Sequence, residues 1–156
     1  MPSRPRSRRK SGGVLVPVDG SALSERAIAV AERLAVPAGE RIVLLHVVPP
    51  VNPARLVRIS EAAAYQVLEG SFAQAWQYLA RLQAPLARRG RTVRPAVRSG
   101  QAAEQILACA RLERVRLIAM SSHGRSGLRR VLFGSVAQAV LRKARLPVLL
   151  VTNAAR

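Results

Sequence analysis

Apolar residues fall along this chain in two alternating patterns: short, largely apolar runs, and stripes spaced three and four residues apart. The runs are VLVPV (residues 14–18), RIVLLHVV (41–48), TVRPAVRSG (92–100), RLIAM (116–120) and PVLLV (147–151). Their length, and apolar side chains at neighbouring positions, predict strands covered on both faces, as in a parallel sheet. The first stripe is Leu23, Ala27, Val30, Ala31 and Leu34, behind Ser21 as N-cap and with Glu25 in the first turn; VPAGE closes that helix. After an irregular stretch at 51–60, a long helix is expected over 61–89, carrying Leu68, Phe72, Ala75, Leu79, Leu82 and Leu86 inward. Pro85 should kink or shorten it. Two shorter helices follow, 101–112 with Ala103, Ile106, Leu107 and Ala110 on one face, and 135–144 with Ala137, Val140, Leu141 and Ala144.

Proline refines the strands, because it cannot donate to a ladder. Pro17 therefore belongs near the C-terminal end of the first strand, beside a possible site, and Pro95 marks the third strand as an edge. Alternating strands and helices imply right-handed crossovers and a parallel sheet with helices on both faces, an α/β fold. There is no internal repeat. The expected organisation is a basic tail at 1–13, one domain at 14–152 and a frayed end at 153–156.

Composition adds an unusual charge. The chain of 156 residues carries 26 Lys and Arg against 8 Asp and Glu, a formal +18. Five of those basic residues lie in MPSRPRSRRKSGG, which has too little apolar surface to order itself and lacks the apolar segment of a signal peptide. Such charge suits weak, unspecific attraction to nucleic acid. No zinc-finger or RNA-recognition signature accompanies it, and Tyr65, Phe72, Trp76, Tyr78 and Phe133 offer little for base stacking. Cys109 is the only cysteine, so no internal disulfide forms; it sits in the apolar pattern QILACARL and reads as a buried hydrophobe. One thiol and no export signal fit the cytoplasm, and no apolar stretch is long enough to span a bilayer.

The densest candidate chemistry is SSHGRSGLRRVLFGS, residues 121–135, between the fourth strand and the last helix. Connections of this kind usually take about 2–6 residues, and longer ones often carry function. Glycines admit close backbone approach, and a helix N-terminus favours an anion. Amides at Gly124, Gly134, Ser135 and Val136 are thus candidate phosphate donors, with the Ser135 hydroxyl, and Arg125, Arg129 and Arg130 as neutralising charge. The loop is not a P-loop, since the Gly-Lys-Ser/Thr ending is absent. His46 and His123 lack the matched ligand cluster of a zinc site; His46 reads as a hydrogen-bonded imidazole in a strand. Trp76 reads as partial packing of the long helix against the sheet. Asp19 is the chain's only aspartate, a turn-capping residue or a ligand contact.

VPVDGS, LLHVV and SSHGRSGLRRVLFGSVAQAVLRKARLPVLLV together resemble the universal stress protein family, over about residues 13–152. The nucleotide-binding branch carries Gly, two residues, Gly, nine residues, then Gly and Ser or Thr. Gly124, nine residues, then Gly134-Ser135 fit it, with Ser121 at the first glycine position. The resemblance implies one open, five-stranded Rossmann-like parallel sheet with strand order 3-2-1-4-5, adenine-nucleotide binding with ATP as the cofactor and Mg²⁺ arriving on its phosphates, and a homodimer through the last strand at 147–151. With no lysine near the loop before Lys143 and a single aspartate in the chain, slow hydrolysis or none is expected. It assigns Asp19 to the nucleoside side, near adenine and ribose, and Val47 to the adenine edge through its backbone. Met120 and Ser121 flank the same cleft. The full candidate set is Pro17, Asp19, Val47, Met120, Ser121, Gly124, Arg125, Gly134, Ser135 and Val136. A dimeric interaction protein of the same fold that binds no nucleotide is the competing expectation, and a basic nucleic-acid-associated protein a third.

Overall fold

The computed structural model describes residues 12–35, 39–50, 60–123 and 133–152. Five strands and four helices alternate: β1 (Gly12–Pro17), α1 (Ala22–Ala35), β2 (Ile42–Val48), α2 (Glu61–Arg88), β3 (Val93–Ser99), α3 (Ala102–Leu112), β4 (Val115–Ser121), α4 (Ser135–Lys143) and β5 (Val148–Val151). The strands pair in parallel, in the order β3-β2-β1-β4-β5. The expected fold is therefore observed, and Pro95 does lie on an edge strand.

Alternation along the central strands divides the core. Val14, Val16, Ile42 and Leu44 face α1 and α2, against Ala27, Ala31, Leu79 and Leu86. Leu15, Val43, Leu45 and Ile118 face α3 and α4, against Ile106, Cys109, Ala137 and Val140. Each strand thus buries both faces, which is why its sequence shows no polar alternation. Cys109 is packed in the second layer as expected, and burial pushes its thiol up to about 11, with the Glu113 carboxylate adding to the shift.

Three expectations shift in detail. β1 begins at Gly12, inside what reads as tail. The glycines are needed there: a Cβ on Gly12 would lie 1.2 Å from the Arg114 carbonyl oxygen, and one on Gly13 1.8 Å from that of Arg41. The buried face of α1 is Ser24, Ala27, Ile28, Ala31 and Ala35, not the stripe through Val30 and Leu34, and Leu34 is exposed. In α4, Leu141 is exposed while Ala137 and Val140 are buried. Pro85 lies inside α2, which ends three residues later at Arg88. The helix opens on Ser60, whose Oγ accepts from the Ala63 N–H at 3.3 Å.

Candidate functional site

Strand order reverses between β1 and β4, because the chain runs outward from β1 first one way and then the other. Such a switch point leaves a crevice at the strands' C-terminal ends, since the flanking connections diverge to opposite faces. A cleft of about 330 Å³ opens there. All eight described members of the candidate set line it: Pro17, Asp19, Val47, Met120, Ser121, Gly134, Ser135 and Val136. Gly124 and Arg125, with Arg129 and Arg130, lie outside the described residues. The fold therefore brings around one cleft residues more than a hundred positions apart.

Asp19 ends β1 in a tight turn. Its Oδ1 accepts from the Ser21 N–H at 3.0 Å and the Ser21 hydroxyl at 2.6 Å. The Ser21 Oγ in turn accepts from the Ser24 N–H at 3.1 Å, so it caps α1 as its sequence predicts. Ser24, almost fully buried, closes the ring: its hydroxyl donates to the Ser21 carbonyl at 2.9 Å and accepts from the Asp19 N–H at 3.2 Å. Gly20 takes φ +87°, a conformation that favours glycine. Its N–H donates to the Tyr78 hydroxyl at 3.1 Å, and that hydroxyl donates to Glu25 Oε1 at 3.1 Å. His46 underpins the turn through Nδ1, 2.9 Å from the Val18 carbonyl oxygen, as a structural imidazole should, and its ring meets Tyr78 edge-on at 5.5 Å.

The opposite wall is β4 and α4. Ser121 is the last residue of β4, paired in register with Val151. Among the described non-glycine residues only Arg114 has a positive φ. The backbone at Ser121 therefore needs no glycine, and what serine changes there is the space a hydroxymethyl occupies. The Gly134 N–H donates to the Ser122 carbonyl at 2.7 Å, tying the start of α4 to the end of β4. That amide is engaged within the protein, which removes it from the expected phosphate donors. The next two remain: no described residue accepts from the Ser135 or Val136 N–H, and Gly134 supplies no side-chain cap. The helix start thus presents two amide donors and the Ser135 hydroxyl to the cleft.

Apolar side chains make up the rest of the lining: Leu45 and Val47 from β2, Ala102 and Ile106 from α3, Met120 from β4. An apolar slot with few convergent polar groups suits a small organic ligand, and the volume falls at the lower end of the roughly 300–1,000 Å³ usual for such sites. Sequence reasoning missed Ser24 and Ser122, both buried and both lining the cleft. Ser24 stands three residues after a predicted N-cap, which is a usable signal; Ser122 lies within the glycine-spaced loop motif but at none of its defining positions. His123 sits beyond the cleft lining, with Nδ1 3.1 Å from the Ser122 Oγ.

An open parallel sheet with a polar-tipped apolar cleft at its switch point defines the class: a doubly wound α/β domain. The universal stress protein family model matches residues 12–152, and the chain belongs to that family. A universal stress protein of Mycobacterium tuberculosis is 34% identical over 139 residues, covering 87% of this chain and 44% of the relative. This chain thus spans under half the length of the curated relatives it matches. Among solved structures, the hypothetical protein MJ0577 superposes with a TM-score of 0.82 at 26% identity, covering 94% of this chain and 99% of the other. Two structures are similar in fold and were solved as nucleotide complexes. One is a universal stress protein with cAMP (TM-score 0.67, 22% identity, 90% and 96% covered). The other is that of Archaeoglobus fulgidus with dAMP (TM-score 0.64, 20% identity, 90% and 97% covered).

Proposed function

We propose that this domain is a nucleotide-responsive stress protein module that binds ATP in the cleft between β1 and β4 and acts through ligand-dependent conformation or partner choice. One observation carries the reading: a slot with apolar walls ends at a helix start whose Ser135 and Val136 amides have no acceptor among the described residues. Adenine is flat and largely apolar, and the walls from β2, α3 and Met120 match it. The carboxylate of Asp19 suits a ribose hydroxyl. The α4 start suits a phosphate, with Mg²⁺ carried on the nucleotide. Relatives of the same fold solved with cAMP and dAMP support an adenine nucleotide. Asp19 already accepts two hydrogen bonds from Ser21, which fits a positioning carboxylate better than a general base. Turnover is therefore slow or absent.

The reading includes a homodimer. β5 is a four-residue apolar edge strand, Leu149 stands 37% exposed on it, and Leu141 of α4 is 39% exposed. An apolar edge favours pairing with a second copy. The lone, buried thiol suits a cytoplasmic setting, and no described helix is long and apolar enough to cross a membrane. Native mass spectrometry of the purified protein tests both parts at once: a dimer carrying an adenine nucleotide is expected. Protein that arrives nucleotide-free, and shows no heat on calorimetric titration with ATP and Mg²⁺, overturns the ligand and leaves the interaction protein.

A further inference from the structure

The cation excess is not spread evenly over the described surface. Arg41 and Arg94 pair with Glu113, Arg89 and Arg91 with Glu32, Arg116 with Glu40, and Arg81 with Glu25. Arg111, Lys143 and Arg145 are different. No side chain of the three makes an ion pair or hydrogen bond among the described residues, yet all three line one groove of about 460 Å³ between α3 and α4. Its floor is Leu107 and Leu146, and the one carboxylate among its described lining residues is Glu104, two turns of α3 above Arg111.

The groove's basic end lies at the N-terminal ends of the strands, opposite the nucleotide cleft. Arg111 closes α3 just before β4, and Lys143 and Arg145 precede β5. β1 starts at that same end, with Gly12 in register with Val115. The residues before it include Arg4, Arg6, Arg8, Arg9 and Lys10. Exposed Arg114 and Arg142 adjoin the groove in sequence.

We infer that this end of the domain, centred on Arg111, Lys143 and Arg145, is a docking surface for the phosphodiester backbone of duplex nucleic acid. The occupant must be a polyanion, because three cations share a concavity with one carboxylate at its far end. It must be long, because exposed Arg114 and Arg142 carry the basic character beyond the residues that line the groove; a short acidic peptide would need only the groove. Guanidinium forks match phosphate oxygens in bidentate fashion, and the leucine floor suits the apolar faces of sugars between phosphates. Among the described residues no aromatic lines the groove to stack a base, so the surface reads charge and not sequence.

The test is fluorescence anisotropy of a labelled mixed-sequence DNA duplex against the full chain, over about 50 to 200 mM salt. The variants are Arg111→Glu/Arg145→Glu and the control Arg33→Glu/Arg88→Glu. The control removes the same charge at the same end of the sheet but from α1 and α2, and its arginines are likewise exposed and unpaired among the described residues. Circular dichroism confirms that both fold. The parent should bind duplex with an affinity that falls steeply with salt. The groove variant should flatten the log–log slope by about 1.8, at about 0.9 for each phosphate it no longer neutralises, and the control by less than half that. Equal flattening in both variants would mean diffuse charge and no surface. Absence of duplex binding in the parent, or groove-dependent binding of polyglutamate alone, would equally overturn the inference. None of these outcomes depends on whether the cleft binds ATP.

Discussion

The two ends of the sheet are built on opposite terms. At the N-terminal ends of the strands, carboxylates and guanidinium groups pair with one another: Glu32, Glu40 and Glu113 engage Arg89, Arg91, Arg116, Arg41 and Arg94, and only the buried Nε of Arg41 lacks an acceptor among the described residues. β1 is squeezed between its neighbours so tightly that only glycine fits at Gly12 and Gly13. At the C-terminal ends the polar groups point into a cleft. The Ser135 and Val136 amides have no acceptor among the described residues, and Asp19 is held by a turn made largely of serine hydroxyls and amides. Groups that satisfy one another contribute stability, and at the first end only the α3–α4 groove, with Arg111, Lys143 and Arg145, stands outside that pairing among the described residues. The cleft at the second end leaves donors aimed at a shaped space, available for a ligand at some cost in stability. Substitutions among the packed and paired groups of the first end and in the cleft of the second should therefore separate folding from binding.

The largest effect is expected at the N-terminal end. Gly12→Val places carbon atoms against the Arg114 carbonyl and forces β1 away from β4. Misfit inside a packed core costs about 1–3 kcal/mol and occasionally more; with a backbone group as the obstacle, the upper end is expected. Urea denaturation should show a large fall in midpoint, or no folded protein at all. A midpoint within error of the parent would show that β1 does not pack this closely. Asp19→Ala should act at the other end, weakening ATP by about 1.5–3 kcal/mol if a charged hydrogen bond is lost. Asp19→Asn keeps an acceptor for Ser21 and should lose affinity while sparing the turn. If both bind ATP in calorimetry as the parent does, Asp19 is a turn residue only.

These contrasts were unequally legible in the sequence. Strands buried on both faces are written as contiguous apolar runs, and a proline or glycine closes most of them, so the succession of elements and the α/β class could be read from the pattern. The strand order and most cleft residues came from the family resemblance, and Ser24 and Ser122, which stand at none of its motif positions, did not come at all. Gly12 and Gly13 misled because glycine beside a basic tail reads as flexibility, whereas here the missing side chain allows close approach. Ser24 had no place in the expected apolar stripe of α1, yet its hydroxyl is buried, because the turn supplies both its partners. The ion pairs were out of reach. Arg116 and Glu40 are 76 positions apart, and Tyr78 meets Gly20 across 58. Only the folded crossovers bring such pairs together.

A smaller effect is expected from the ionic end as pH falls. Hydrogen bonds from Arg89 and Arg91 hold the Glu32 carboxyl well below its ordinary range, at about 2 instead of 4.5. A carboxylate whose pKa is lower folded than unfolded contributes stability that is full above the unfolded value, and is lost as pH falls through the folded one. The Glu32→Gln protein should thus be less stable than the parent at neutral pH by about 1 kcal/mol, limited by water around the exposed Arg89. The gap should begin to close near pH 4.5, be mostly closed near pH 2 and vanish only below it. Denaturation midpoints of the two proteins, followed across that window, check it. A gap that persists to the lowest pH would show that the substituted amide harms packing and that the ion pairs contribute nothing.

The smallest effect lies where the two ends differ most in kind, at Tyr78 beneath the cleft. Its hydroxyl accepts from the Gly20 N–H and donates to Glu25, while Arg81 lies over its ring at 5.4 Å to the centroid. Half-burial and the nearby Glu25 carboxylate push the phenol up to about 12 from 10. For this group the folded state favours the proton. Its contribution is therefore intact below pH 10 and declines as pH rises from 10 toward 12. Tyr78→Phe keeps the ring against His46 and removes only the hydroxyl, so stability at neutral pH should fall by about 1 kcal/mol. The parent should lose stability above pH 10 faster than the variant, and the gap should narrow. The consequence for the cleft is more specific: without the hydroxyl, the Gly20 amide loses its acceptor and should exchange its proton faster, by nuclear magnetic resonance, than amides in β1. A Gly20 amide equally protected in both proteins would show that Asp19 and the serines hold the turn alone, with Tyr78 serving only as packing beneath it.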